Sequence, residues 1–152
     1  MFNSSWRPLR RIAPLALPLL FVTSCGSQGV EKTAKVSVDR VVGTWKAGDG
    51  EQLSFAADHT FASGGLDSKK LAADHCPGAK ATGNWAFFAE QDGLYGTSDS
   101  AVSGSEIGLA FDGLPQGRCT ITLAFVDGGR TLCATDDADD PCALDVRFTR
   151  RT

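Results

Sequence analysis

The most constraining feature of this sequence is a series of short segments in which apolar and polar residues alternate, with turn-forming residues between them. The clearest segment, Cys119 to Val126, is followed by Asp127-Gly128-Gly129, which tolerate the positive φ of a hairpin turn. In the last segment Leu144, Val146 and Phe148 alternate with polar neighbours. Alternation with a period of two is typical of a strand with one buried face, so each segment predicts a β-strand.

Seven or eight antiparallel strands are predicted in this way, at 41–45, 53–55, 60–63, 82–88, 107–111, 119–126, 131–135 and 143–150. Val36 and Val38 are candidates to begin a further strand, and residues 66–80 predict a loop with one helical turn. No stretch offers the roughly eleven residues of 3.6-residue period that a helix needs. We therefore expect an all-β domain, either a small antiparallel barrel or a two-sheet sandwich, and favour the barrel because closure removes exposed edges.

The first 24 residues have the organisation of a secretory signal peptide. Arg7, Arg10 and Arg11 precede an apolar run from Ile12 to Val22, and the small residues Thr23-Ser24 follow it. This run has about half of the roughly twenty apolar residues that a membrane-spanning helix needs. The tandem arginine also raises the twin-arginine export route, and the route stays open.

Val22-Thr23-Ser24-Cys25 closely resembles the lipobox of bacterial lipoproteins. The resemblance implies that Cys25 is diacylated and becomes the first residue, which anchors the protein in the cell membrane on its extracytoplasmic face. Two acyl chains give stable attachment where one is marginal. The alternative is an ordinary signal peptide with an incidental cysteine. Residues 25–39 then predict a flexible tether, of which 26–39 would reach roughly 45 Å when extended, and residues 40–152 the β-barrel domain.

The other four cysteines are Cys76, Cys119, Cys133 and Cys142. An even number in an exported chain predicts two disulfides, with three possible connectivities. We favour Cys133–Cys142 across the acidic turn and Cys76–Cys119 over the longer loop. None of the four has the paired spacing of a zinc site, so no metal is expected there.

Charge excludes one class of partner. The predicted signal peptide removes three of the fifteen basic side chains and none of the eighteen acidic ones, so the mature chain carries a formal charge of about −6. Nucleic-acid binding requires a basic surface, and we expect none. The lipid anchor would be the membrane contact.

Gly43-Thr44-Trp45 resembles the G-x-W signature of lipocalins and their calycin relatives, and Gly83-Asn84-Trp85 is a second copy. As a whole the chain is similar to small actinobacterial lipoproteins, which share the early G-T-W, a turn-separated L-x-F and an acidic turn before the final strand. In lipocalins a late basic residue covers the tryptophan ring, and Arg147 or Arg150 would do so here. The resemblance makes Trp45, Trp85 and Arg147 candidate ligand-binding residues; the alternative is that both tryptophans are core aromatics.

Catalytic and metal-binding patterns are weak. His59 and His75 lack a convincing serine partner, and Glu51, Glu90 and Glu106 are not placed as a catalytic pair by the sequence. The acidic run 136–140 offers calcium ligands without EF-hand spacing. We expect no enzyme and no cofactor.

Two functions remain. The first is a non-catalytic binding module for a small apolar ligand or an envelope protein. The second is an inhibitory or protective lipoprotein that blocks an extracellular hydrolase through the loop at 66–80. If side chains fill the barrel interior, the binding module could recognise its partner only on its outer surface.

Overall fold

The computed structural model describes residues 31–150, apart from Asp49, Ser68, residues 72–75 and Gln116. The predicted signal peptide, the predicted lipidation site Cys25 and the candidate His75 therefore lie outside the described residues. Among the described residues, no helix has the length and apolarity needed to cross a bilayer.

The described residues form mostly strands. In chain order the elements are β1 (Val36–Ser37), α1 (Val38–Val41), β2 (Gly43–Lys46), β3 (Gln52–Phe55), β4 (Thr60–Gly64), β5 (Ala81–Gln91), β6 (Leu94–Ser98), β7 (Ser103–Gly104), β8 (Glu106–Phe111), β9 (Thr120–Val126), β10 (Thr131–Thr135) and β11 (Arg147–Arg150).

Eight of these strands close into an antiparallel barrel. Their order around it is β2-β3-β4-β5-β8-β9-β10-β11, and β11 pairs with β2 to complete the circle. In that closing register Arg150 lies opposite Trp45 and Thr149 opposite Lys46. The predicted barrel is confirmed over the sandwich. β6 is an extra strand on the second half of β5, and β1 pairs separately with β7.

The registers define the two ends of the barrel. The helix end, beside α1, holds the start of β2 and β4 and the end of β11. The loop end holds the end of β2 and β4, the start of β11 and the described part of the loop at 66–80. Val41 of α1 is buried at the helix end, and Leu66, Leu71 and Val146 are buried in the loops of the other. All belong to one core cluster with the barrel interior, so apolar side chains cover both ends.

Residues 31–37, the N-terminal strap, lie on the outer face of the barrel. The Ala34 amide donates to the Phe125 carbonyl at 2.7 Å, and Val36 lies opposite Gly104 in the β1–β7 pair. All five residues of β10 are buried, although the outer face of a barrel strand is normally solvated. The segment 31–39, expected to be part of a free tether, instead lies against the barrel, and Val36 begins a strand whereas Val38 begins a helix.

Both favoured disulfides are confirmed, Cys76–Cys119 and Cys133–Cys142. The shorter one also explains why the last strand begins at Arg147 and not at 143. The Ala143 amide donates to the Asp140 carbonyl, and the Asp145 amide to that of Cys142, so the residues before Arg147 form a closed turn.

Candidate functional site

The barrel interior is occupied by large apolar side chains. They lie in one cluster with rings in mutual contact, at centroid distances of 6.2 Å for Trp45–Phe125, 5.9 Å for Phe55–Trp85 and 5.5 Å for Trp85–Phe87. The same cluster contains Ile121 and Leu123. These are the side chains whose packing decides between a hollow and a solid barrel, and they are all buried.

Trp45, a predicted ligand-binding candidate, lies within this core at the helix end. Its side chain is 0 % exposed, and its indole nitrogen donates to the Val41 carbonyl at 2.8 Å. Because Val41 is the last residue of α1, this bond attaches the helix to the first barrel strand. The indole therefore has a structural contact at its polar atom.

Trp85, the second tryptophan candidate, is 1 % exposed and donates to the Ala56 carbonyl at 3.2 Å. The His59 ring stacks on it at 4.4 Å, and Nδ1 of that ring lies 3.2 Å from the Trp85 carbonyl. Since a carbonyl oxygen can only accept, Nδ1 carries the proton. His59 thus lies in a turn, as expected, with its ring engaged by the tryptophan.

The two late arginines do different things. Arg147, the third candidate, forms a two-pronged ion pair with Glu31 of the strap at 2.9 and 2.7 Å. The hydrogen bond to the Glu31 carboxylate raises the pKa of Arg147, and desolvation of the guanidinium group opposes this only in part. Arg150 donates to the Val42 carbonyl at 2.7 Å and lies beside Gly43, where a Cβ would be 3.1 Å from its Nε. Arg150 thus lies beside the start of β2 at the helix end, while Arg147 fixes the strap.

The acidic run folds around a hydroxyl group. Thr135 Oγ1 lies 2.7 Å from the Asp137 carbonyl and 2.6 Å from that of Asp140, and it accepts from the Asp137 amide at 3.0 Å. The Asp137 carboxylate accepts a hydrogen bond from the Asp139 amide, and the Asp140 carboxylate accepts one from the Cys142 amide. Among the described residues, one set of three potential ligands lies within 4.8 Å, and it joins Glu31 to the disulfide Cys133–Cys142. The run does not bring three carboxylates together for calcium.

The fold separates Glu51 from the other two glutamates of the sequence analysis. Glu51 is buried at the loop end, where it accepts from the Asp67 amide at 3.3 Å. Glu90 and Glu106 lie on β5 and β8, near β6. Glu106 accepts from the Tyr95 hydroxyl at 3.0 Å. The fold therefore places Glu51 at the end of the barrel opposite to β6.

An apolar surface that the sequence analysis missed lies on the β5–β6 hairpin and the turn after it. Among the described residues, the exposed large hydrophobic side chains are Leu94, Tyr95 and Val102, which are 77 %, 63 % and 74 % exposed. We call these three residues the hairpin patch. Leu94-Tyr95 is the apolar pair within the Gly/Ser/Asp-rich stretch 92–105, and that contrast was the available signal.

Tyr95 is held in place on this surface. Its ring stacks on Phe88 at 5.5 Å while its hydroxyl reaches Glu106. Partial burial of the hydroxyl, and then the bond to the Glu106 carboxylate, raise the pKa of Tyr95 to about 12. Tyr95 is therefore the fixed side chain of the hairpin patch.

Next to the hairpin lies a concavity of about 320 Å³ on the outside of the barrel, which we call the outer groove. Its floor is the outer face of β5 and β8, and its walls are β6, Leu114, Pro115, Gly117 and the start of β9. Gly108 in the floor has no side chain, and a Cβ there would lie 2.7 Å from the Thr97 methyl group of β6. The absence of that side chain lets β6 approach β8 across the groove.

No protein-family model, curated protein or solved structure matches this chain. The class that the fold and its surface define is a small disulfide-bonded, closed antiparallel β-barrel with an aromatic core and an exposed apolar hairpin.

Proposed function

We propose that this protein is an envelope lipoprotein, anchored through a diacylated Cys25 on the extracytoplasmic face of the cell membrane, whose barrel binds another envelope protein. The binding surface is the hairpin patch. The observation that carries the proposal is that the exposed large hydrophobic side chains among the described residues all fall between Leu94 and Val102. Large apolar side chains left exposed within one short segment favour an interaction surface there.

The location rests on two features. The lipobox-like Val22-Thr23-Ser24-Cys25 supports the lipid anchor. The two disulfides are compatible with an oxidising, extracytoplasmic compartment, because cytosolic thiols are normally kept reduced. The calycin-like kinship belongs to the proposal too, supported by Gly43-Thr44-Trp45 on the first barrel strand and by Arg150 beside it.

A protein partner is favoured over a small apolar ligand inside the barrel because of the core. A ligand in the interior would have to displace buried rings such as Trp85 and Phe87, which contact each other. Displacing packed side chains costs several kcal/mol per residue, of the order measured for large-to-small core substitutions. Recognition on the outer surface carries no such cost.

The inhibitor hypothesis shares this location and stays a prediction. In the described part of the loop at 66–80, Leu66 and Leu71 are buried in the core. An inhibitory contact by this loop would therefore use its polar residues.

Site-specific photo-cross-linking in intact cells tests the proposal. A photoreactive residue at position 94 is expected to give one discrete adduct in the membrane fraction. The same residue at Asp145, whose side chain is 95 % exposed on the far side of the barrel, should give none. Leu94→Ser together with Val102→Ser should remove an adduct formed from position 95.

Mass spectrometry of the same membrane fraction tests the anchor. The N-terminal peptide should begin at Cys25 with a diacylglyceryl group. An unmodified cysteine would overturn the anchor, and equal adducts from positions 94 and 145 would overturn the hairpin patch as the binding surface.

A further inference from the structure

The outer groove combines a smooth apolar floor with a polar rim. The floor is built from the small residues Ala86, Gly108 and Ala110, and Leu114 with Pro115 forms one wall. At about 320 Å³ the groove is at the lower end of the range for small-ligand sites. A narrow group with an aliphatic body fits such a floor.

Four polar side chains line the described part of the groove. They belong to Asn84, Thr97, Asp99 and Thr120. Among the described residues, none of these side chains hydrogen-bonds to another protein group. Polar side chains just outside the groove are bonded by contrast: Thr82 donates to Asp112 at 2.7 Å. Hydrogen-bonding capacity is thus left open at the groove.

The charge in the groove has one sign. Asp99 is the charged side chain among its described lining residues, and no described lining residue is cationic. A carboxylate attracts a cation and repels an anion, and the acidic balance of the mature chain acts in the same direction. The one indole that lines the groove, Trp85, is 1 % exposed and offers no open ring for stacking.

We propose that the outer groove binds a primary ammonium group carried on an aliphatic stem. The ammonium lies against the Asp99 carboxylate, with the Asn84 carbonyl and the Thr97 or Thr120 hydroxyl as further acceptors, and the stem lies along Ala86 and Ala110. A lysine side chain of a protein and a free diamine both have this chemistry. A lysine of a partner protein as the ligand rests on the proposed function. The partner would place that lysine in the outer groove while its apolar residues contact the hairpin patch.

The test is an NMR titration of the full lipoprotein, labelled with nitrogen-15 and purified in detergent. The probes are N-acetyl-lysine methylamide, cadaverine and the neutral isostere N-acetyl-norleucine methylamide. Both amines should shift the amides of Ala86, Asp99 and Gly108, and the norleucine probe should bind at least about twofold more weakly, as loss of an exposed ion pair implies. Stronger binding of the lysine probe identifies a protein source; stronger binding of cadaverine identifies a free diamine.

Two variants separate charge from shape. Asp99→Asn should weaken both amines about two- to fivefold, whereas the matched change Asp92→Asn in the hairpin turn should leave them unchanged. Ala110→Leu, at an exposed floor position, should abolish the shifts.

Three results would overturn the proposal: no shift in the groove at about 10 mM amine, equal binding of the norleucine probe, or unchanged affinity in Asp99→Asn. The titration reports on the groove alone and the position-94 cross-link on the hairpin patch alone. Failure of one is therefore distinguishable from failure of the other.

Discussion

Replacing Trp45 by phenylalanine separates a structural tryptophan from a ligand-binding one. The change keeps an aromatic ring but removes the indole N–H that donates to the Val41 carbonyl at 2.8 Å. Both residues are 0 % exposed, so the carbonyl is left buried without a partner, which costs about 1–3 kcal/mol. The smaller ring leaves a cavity on the order of 40 Å³, which adds roughly 1 kcal/mol at about 24 cal/mol per Å³. We expect the free energy of unfolding to fall by about 2–4 kcal/mol.

The assay is urea unfolding followed by far-ultraviolet circular dichroism, because the substitution removes a fluorophore. Trp85→Phe is the matched comparison. Its indole bond to Ala56 is longer, at 3.2 Å, and only partly buried, so its loss should cost less than the loss at Trp45. The dependence of the unfolding free energy on urea should be unchanged if both variants keep the compact fold.

A different pattern would refute the reasoning. If Trp45 lined a ligand site, phenylalanine there would cost less than about 0.5 kcal/mol of stability and would strongly change the affinity for an apolar ligand. An apolar fluorophore that binds the wild-type protein and quenches Trp45 would point the same way. Either result would mean that the interior is not the packed core described above.

Three further predictions address the barrel and its surface. Gly83→Ala should destabilise the protein by about 3 kcal/mol in thermal denaturation, because the new methyl group would collide with the Ala110 carbonyl, whereas Gly96→Ala has open space and should be near neutral. Tyr95 is the single tyrosine, so tyrosinate absorbance should show a midpoint near pH 12, and Glu106→Gln should lower it toward 10. Because this pKa is raised on folding, the stability it contributes is complete below pH 10 and is lost between pH 10 and 12; an unshifted midpoint would contradict the contact. Replacing both cysteines of Cys76–Cys119, which are 43 residues apart, should lower the free energy of unfolding by about 4 kcal/mol. Replacing both cysteines of Cys133–Cys142, which are 9 residues apart, should lower it by about 3 kcal/mol. The reverse order in urea unfolding would contradict the loop-entropy estimate.

The barrel strands were predictable because their signal is local. Thr120–Val126 and Thr131–Thr135 lie almost where the alternation and the intervening Asp-Gly-Gly place them. Each residue in such a hairpin meets a neighbour a few positions away, so pattern and turn chemistry together fix the pairing. The disulfide Cys133–Cys142 was favoured on the same local reasoning, because its two cysteines flank one turn.

The strap and the added strands depend on contacts that are distant in the sequence. Val36-Ser37 becomes a strand only because Ser103-Gly104 lies beside it. Its two residues carry no alternation to detect, and the four-residue helix Val38–Val41 is too short for a period. β6 lies in a stretch rich in glycine, serine and aspartate, where strand propensity is low.

The candidate surface was the least predictable part. A sequence motif drew attention to Trp45 and Trp85, which the fold places in the core, and to Arg147, whose side chain pairs with Glu31 of the strap. The exposure of Leu94 and Tyr95 follows from β5 extending beyond β8 and carrying β6 with it. Which apolar residues remain solvent-exposed is a property of the assembled sheet, and no single segment encodes it.

The strap changes what a lipid anchor at Cys25 would do. A free tether over residues 26–39 would let the barrel stand roughly 45 Å from the bilayer. Glu31 is instead paired with Arg147, and Ala34 with Phe125, so at most the six residue steps from Cys25 to Glu31 are free to extend, about 20 Å. On the proposed anchor the barrel would therefore be held within about its own diameter of the membrane surface.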